Sequence, residues 1–368
     1  MDRRSFLLST VATLAAFGSG ASLAFINRFE LSQTLAEGEH QRTIAALKPP
    51  KRTCPVIAVV LDEHGSETTD ALVPFGVLSR SGLADVQMVC AQTDPVDLFP
   101  ALTVRPQISL ERFDKRHPEG ADFVIVPACH RLHSSPIIPW VQNQAAGGAT
   151  IIGICAGAKT LAVAGLLSGK RATTHWYELD HLRRLEPSMT YVPNRRYVAD
   201  GPVVTTTGVT ASLPLSLALV EAMGGRSAAE KLADELGASG WCALHDSSAF
   251  RTTRQAVLTA LANRMSFRRG IGIPVSDGTD EIALAFTADA WSRTYRSAAF
   301  TVADQRVVMA KSGLEIIVDR LERRGLRMVD SPPLRHPATA MDETLVAIEQ
   351  LLGHDTAAFV ALQLEYPS

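Results

Sequence analysis

The sequence predicts an α/β fold: a doubly wound, mostly parallel sheet carrying a C-terminal α/β extension. Three observations predict it. Short apolar runs without polar alternation recur between residues 55 and 225, as expected of strands buried on both faces. Stretches with helical spacing separate them. The 368 residues, 46% of them hydrophobic, exceed one small domain and can bury a large core.

The elements follow in order. "PVIAVVL" (residues 55–61) is apolar on both faces and reads as the first strand. Residues 68–82 have helical spacing, an acid at the start and a glycine stop. "DVQMVCA" (85–91), "ADFVIVP" (121–127), "GATIIGIC" (148–155) and "GPVVTTTG" (201–208) are further strands. Helices are expected over residues 136–146, 156–167 and 213–223. Beyond Gly225, "SAAEKLADELG" and "RTTRQAVLTALANRMSF" read as helices. Residues 270–293, "GIGIPVSDGTDEIALAFTADAWSR", then repeat the order of residues 55–80: strand, acidic glycine turn, acid opening an apolar helix. "SAAFTVAD" (297–304) follows as the second strand follows the first copy. The pattern suggests a degenerate partial repeat without a second Gly-x-Cys-x-Gly.

The N-terminal residues stand apart. Arg3 and Arg4 precede a run, Ser5 to Ile26, with no charged side chain. Residues 1–28 therefore read as a twin-arginine export signal or an uncleaved membrane anchor. Either places the protein on the exported, periplasmic side, with membrane contact only through this segment. Residues 29–53 read as a tether, 54–226 as the main domain and 227–368 as the extension.

Charge and cysteine usage narrow the function. Basic and acidic residues nearly balance, 36 against 38, which gives no electrostatic footprint for nucleic acid. The arginine-rich residues 264–269 and 320–327 read as solvated helix ends. Five cysteines, Cys54, Cys90, Cys129, Cys155 and Cys242, match no zinc spacing and no disulfide framework. No cofactor and no metal is expected; Cys129, His130 and His133 on one loop are too few ligands.

Ligands of such sheets bind at the C-terminal strand ends, and Cys155 lies at one. It sits in "GICAGAKTLAVAGLLSGKRATTHW" (residues 153–176). Gly153 and Gly157 permit a sharp strand-to-helix bend that presents the cysteine as at a nucleophile elbow. The first amides of the new helix favour a thiolate.

This segment resembles the nucleophile segment of the ThiJ/PfpI superfamily, that of the Parkinson-disease protein DJ, within the class I glutamine-amidotransferase-like, flavodoxin-like folds. It is most similar to the branch of isonitrile hydratases and of the amidase-like domains of AraC-type regulators. The resemblance extends to "GSETTDALVPFGVLSRSG" and "VVTTTGVTASLPLSLALVEAMGG" and covers about residues 55–225. It implies that Cys155 is the nucleophile and Asp70 its helix-opening acid, with Glu67 as second candidate. It implies a nearby histidine at His175, and a pocket formed by Gly208 and Thr210 with the backbone of Ala128, Cys129, Ala156 and Gly157. Ala156 replaces the histidine of peptidase-like members, so proteolysis is not expected. The extension shows no pair of short helices with a basic recognition face, so the DNA-reading unit of the regulators is not expected here. Two readings stand: hydratase or hydrolase chemistry on a small molecule, or a ligand or redox sensor. Homodimers are usual in the resembled family.

Overall fold

The computed structural model of the protein describes residues 19–49, 51–130, 136–238, 240–332 and 335–367. Seven strands form the main sheet. Val56–Val60 (β1) is central. Asp85–Cys90 (β2) and Ile108–Ser109 (β3) extend it on one side. Phe123–Val126 (β4), Thr150–Gly153 (β5), Tyr197–Asp200 (β6) and Val203–Thr206 (β7) build the other, in the spatial order β6-β7-β5-β4-β1-β2-β3. Every pairing is parallel except β6 with β7. The order in which strands are added reverses between β1 and β4, which makes the switch point where such sheets bind ligands.

Helices cover both faces: Ser19–Ala46 (α1), Thr68–Ser81 (α2), Leu110–Arg116 (α3), Ile137–Ala146 (α4), Gly157–Val163 (α5), Leu179–Leu185 (α6), Ser212–Gly224 (α7) and Arg226–Leu236 (α8). The alternation of β1 shows why its sequence is apolar throughout. Ile57 and Val59 pack with Phe75 and Leu217 on one face, while Ala58 and Val60 pack with Val124 and Trp140 on the other.

Residues 29–46, expected as tether, are helical and docked. Ala36, His40, Thr43 and Leu47 are buried at helical spacing. His40 bonds the Tyr197 hydroxyl at 2.7 Å and approaches Glu221 at 3.2 Å. This stripe is short and half polar, so it lacks the apolar periodicity of an ordinary surface helix. The twin arginines and residues 1–18 lie outside the described residues. Among the described residues no helix is long and apolar enough to cross a membrane.

The C-terminal extension holds Arg254–Met265 (α9), Arg269–Pro274 (β8), Glu281–Ser292 (α10), Ser297–Val302 (β9), Leu326–Met328 (β10), Ala340–Leu352 (α11) and His354–Leu364 (α12). β8 pairs in parallel with β9 and β10. Residues 320–327, expected as a helix end, instead lead into β10. The β8–α10–β9 unit repeats β1–α2–β2. One constant offset aligns Gly65 with Gly278, Glu67 with Asp280 and Arg80 with Arg293.

The two copies face each other. α10 lies against α2 at Gly76, where a Cβ would stand 2.6 Å from Glu281 Oε1 and 2.7 Å from Ile282. Arg80 donates to Asp280 at 2.7 Å and to Glu281 at 2.8 Å. Reciprocally, Arg293 donates to Glu67 at 2.6 Å. The strands Thr103–Arg105 and Glu315–Ile317 pair antiparallel, with Val104 opposite Ile316. The units are therefore related by a local two-fold, and α10 covers a face of α2 within one chain.

Candidate functional site

Cys155 stands beyond the end of β5 with φ of 55°, in the left-handed region. A non-glycine residue holds this conformation only when its surroundings enforce it. Here the Cys155 N–H donates to Thr206 Oγ1 at 3.0 Å, and its carbonyl accepts from Thr174 Oγ1 at 3.0 Å. Gly157 is required at the bend, since a Cβ there would stand 2.1 Å from the Val126 carbonyl oxygen. The expected elbow is present.

Its electrostatics differ from expectation. Burial pushes the thiol well above its ordinary pKa, and the carboxylates of Asp70, Glu67 and Glu365 push it further. The Ala156 N–H opposes this but does not reverse it. The resting group is a thiol rather than a thiolate, because one helix amide does not offset desolvation plus several carboxylates.

Three buried carboxyls and one guanidinium lie behind it. Glu67 caps α2, accepting the Asp70 N–H at 2.6 Å. Its other oxygen accepts from Arg293. Arg293 Nε donates to Asp289 at 2.5 Å, and Thr69 donates to Asp289 at 2.8 Å. Asp70 accepts the Ala128 N–H at 3.2 Å through Oδ2, while its buried Oδ1 has no partner. One cation cannot neutralise three buried carboxylates. Burial raises Asp70 to about 7, against the opposing Ala128 N–H and Arg293. Burial and the neighbouring Asp289 and Asp70 charges hold Glu67 well above the usual carboxylate range.

A cavity of about 600 Å³ opens over Cys155. Glu67, Ala128, Cys129, Ala156 and His175 line it, but Asp70 does not. Arg293, Tyr295, Phe359 and Val257 of the extension complete its walls. No hydrogen bond joins the Cys155 sulfur to Asp70, Glu67 or His175 among the described residues. His175 is engaged elsewhere: Nδ1 accepts the Tyr177 N–H at 3.2 Å and Nε2 donates to the Gln363 carbonyl at 2.9 Å. Those bonds fix the ring in the wall of the cavity.

Gly208 and Thr210 hold the C-terminal tail rather than line this cavity. The Gly208 N–H donates to Glu365 at 2.7 Å, the Trp176 N–H donates to the same carboxylate at 2.5 Å, and Thr210 donates to the Glu365 carbonyl at 2.9 Å. His245 approaches that carboxylate at 3.5 Å. Cys129 is a free thiol like Cys155; it donates to the Pro127 carbonyl at 3.3 Å, and burial raises it to about 12. His130 stacks on Phe99 with centroids 3.8 Å apart, and His133 lies outside the described residues.

Sequence reasoning missed Arg293, Asp289 and Glu365. The repeat could have revealed Arg293, which aligns with Arg80. Nothing in the tail sequence marks Glu365.

Comparisons with known proteins find similarity in the main domain. A family model described as the DJ-1/PfpI family matches residues 56–222. Isonitrile hydratase of Pseudomonas putida is 29% identical over 166 residues, 44% of this chain and 69% of that protein. The HTH-type transcriptional regulator CdhR of Pseudomonas aeruginosa is 34% identical over 170 residues, 45% of this chain but only 49% of the regulator. An uncharacterized protein of Streptomyces lividans is 35% identical over 138 residues, 94% of its length. The crystal structure of Drosophila melanogaster DJ-1beta covers 50% of this chain and 99% of its own, at 23% identity and a TM-score of 0.46. Through residues 56–222, the chain belongs to the DJ-1/PfpI family.

Proposed function

We propose that the protein hydrates or hydrolyses a small molecule with a polarised carbon–nitrogen or carbonyl centre, through Cys155. One observation carries this reading: a thiol on a strained elbow shares a cavity with Glu67, a carboxyl that burial and neighbouring charges hold well above the usual carboxylate range. Thiol and acid together suit addition across a multiple bond.

For an isonitrile, the Cys155 sulfur bonds to the terminal carbon. Glu67 delivers a proton to that carbon, and the thiol proton passes to the resulting carboxylate. Water then adds to the thioimidate carbon, the sulfur leaves with its electron pair, and nitrogen gains a proton to give a formamide. Asp70, held by the Ala128 N–H that donates to its Oδ2 and raised to about 7 by burial, exchanges protons with Glu67. The Ala156 N–H, which faces the Cys155 sulfur, is the backbone donor for the developing charge, whereas the Gly157 N–H, expected to share that role, is taken up by the Ile154 carbonyl at 2.7 Å. The similarity to isonitrile hydratase supports this substrate class.

The test is turnover. The full chain is incubated with small alkyl isonitriles, amides and methylglyoxal, and products are followed by mass spectrometry. Multiple turnovers that vanish in Cys155→Ser uphold the reading. Stoichiometric modification of Cys155 without turnover overturns it in favour of a sensor.

A further inference from the structure

Helix α9 is built inside out. Its polar Thr259 and Asn263 are buried, and Asn263 donates to the Thr294 carbonyl at 2.9 Å. Its apolar side chains face outward: Leu258 is 62% exposed, Leu261 55% and Met265 89%, with Phe267 at 85% just beyond the helix. Water-facing helices of soluble proteins place these residue types the other way round. An apolar patch of this kind marks an interaction surface.

Charge narrows the partner. Arg251, Arg254, Arg264, Arg268 and Arg269 are all exposed around the patch. No acidic residue occurs between Asp246 and Asp277. A second copy docked through the same face would bring arginines against arginines, a like-charge juxtaposition that disfavours association. The complementary surface is therefore both anionic and apolar.

Two placements favour a bilayer over an acidic protein. The apolar side chains stand on the outer side of a helix rather than in a groove, and Tyr177, 70% exposed, joins Val257 and Leu261 at the mouth of the Cys155 cavity. Aromatic and aliphatic side chains among arginines suit an anionic bilayer surface, the apolar groups entering the acyl boundary and the guanidinium groups meeting the headgroups. In addition, Ser32 and Leu35 of α1 line one cavity with Asp246 and Phe250, on the segment leading into α9. α1, which follows the uncharged run in sequence, thus lies beside the segment that leads into α9.

We propose that α9 and Phe267 form a peripheral docking surface for anionic lipid bilayers, which brings the mouth of the Cys155 cavity to the membrane surface. The proposal is independent of whether Cys155 turns over a substrate.

A position-specific probe separates this contact from any membrane binding by the N-terminal run. In the full chain with Cys54→Ser and Cys242→Ser, Met265→Cys is labelled with a polarity-sensitive dye. Val346→Cys on α11, 54% exposed, is the control. Vesicles of phosphatidylglycerol and phosphatidylcholine in equal parts should shift the emission of the dye at position 265 to the blue, and leave position 346 unchanged. Arg264→Gln with Arg268→Gln should reduce vesicle affinity at position 265 about tenfold. Equal shifts with pure phosphatidylcholine, no shift at position 265, or a concentration-dependent shift without vesicles would each overturn the proposal. The last would assign the face to a second copy.

Discussion

Arg293 reaches across the local two-fold and donates a 2.6 Å hydrogen bond to Glu67, the cap of the helix that opens the candidate site. The extension thus contributes to the chemistry of the main domain. Arg293→Ala leaves Glu67 and Asp289 without their cation. Breaking a buried pair in this way costs about 3–5 kcal/mol, measurable by urea unfolding. Adding Glu67→Gln and Asp289→Asn removes the orphaned charges and should restore most of the loss. Equal stability of the single variant and wild type would show that the carboxyls simply protonate.

The raised pKa of Asp70 has a stability consequence with a definite sign. The folded protein holds a proton on Asp70 up to about pH 7, whereas the unfolded chain releases it near 3.8. Its contribution is complete below that lower value, falls between the two, and is flat above. The slope for one such group is at most about 1.4 kcal/mol per pH unit. Asp70→Asn should flatten the dependence of unfolding free energy on pH between 4 and 7. An unchanged slope would place the titrating proton on another group.

The thiol reads out its own environment. Cys54 and Cys242 are exposed and Cys155 is buried, so iodoacetamide should label the first two well ahead of Cys155. The Cys155 rate should keep rising beyond pH 9, because its pKa is pushed well above that value. A factor of ten per pH unit is the expected rise while the thiolate is the minor form. A Cys155 rate that levels off below pH 7 would mean that the helix amides dominate after all.

Much of this architecture is legible in sequence because strand and helix periodicity is local. β1, β2, β4, β5 and β7, and the elbow at Cys155, follow from apolar runs and glycine spacing. α1 was hidden because its buried stripe includes His40 and Thr43, whose partners lie far along the chain. β6 was hidden for a similar reason: an antiparallel strand beside β7 is set by tertiary pairing rather than pattern. The sign of the Cys155 shift was misread because a motif shows the helix amides but not three carboxylates converging from α2 and the tail. His175 illustrates the same limit, since residue type reveals a ring but not the Gln363 carbonyl that occupies it.

Glu365 offers the sharpest test of coupling between tail and site. Its carboxylate accepts the Gly208 and Trp176 amides, and its charge helps raise the Cys155 pKa. Glu365→Gln removes the charge and retains one acceptor. One of the two buried amides then loses its partner, a cost of about 1–3 kcal/mol. The Cys155 pKa should fall, so its alkylation at pH 8 should quicken severalfold while labelling of Cys54 stays constant. Loosening of the tail alone would also quicken alkylation, but equally at every pH. The charge effect instead moves the midpoint of the profile to lower pH. A loss of stability with an unshifted midpoint would reduce Glu365 to a structural clasp and sever the tail from the electrostatics of the nucleophile.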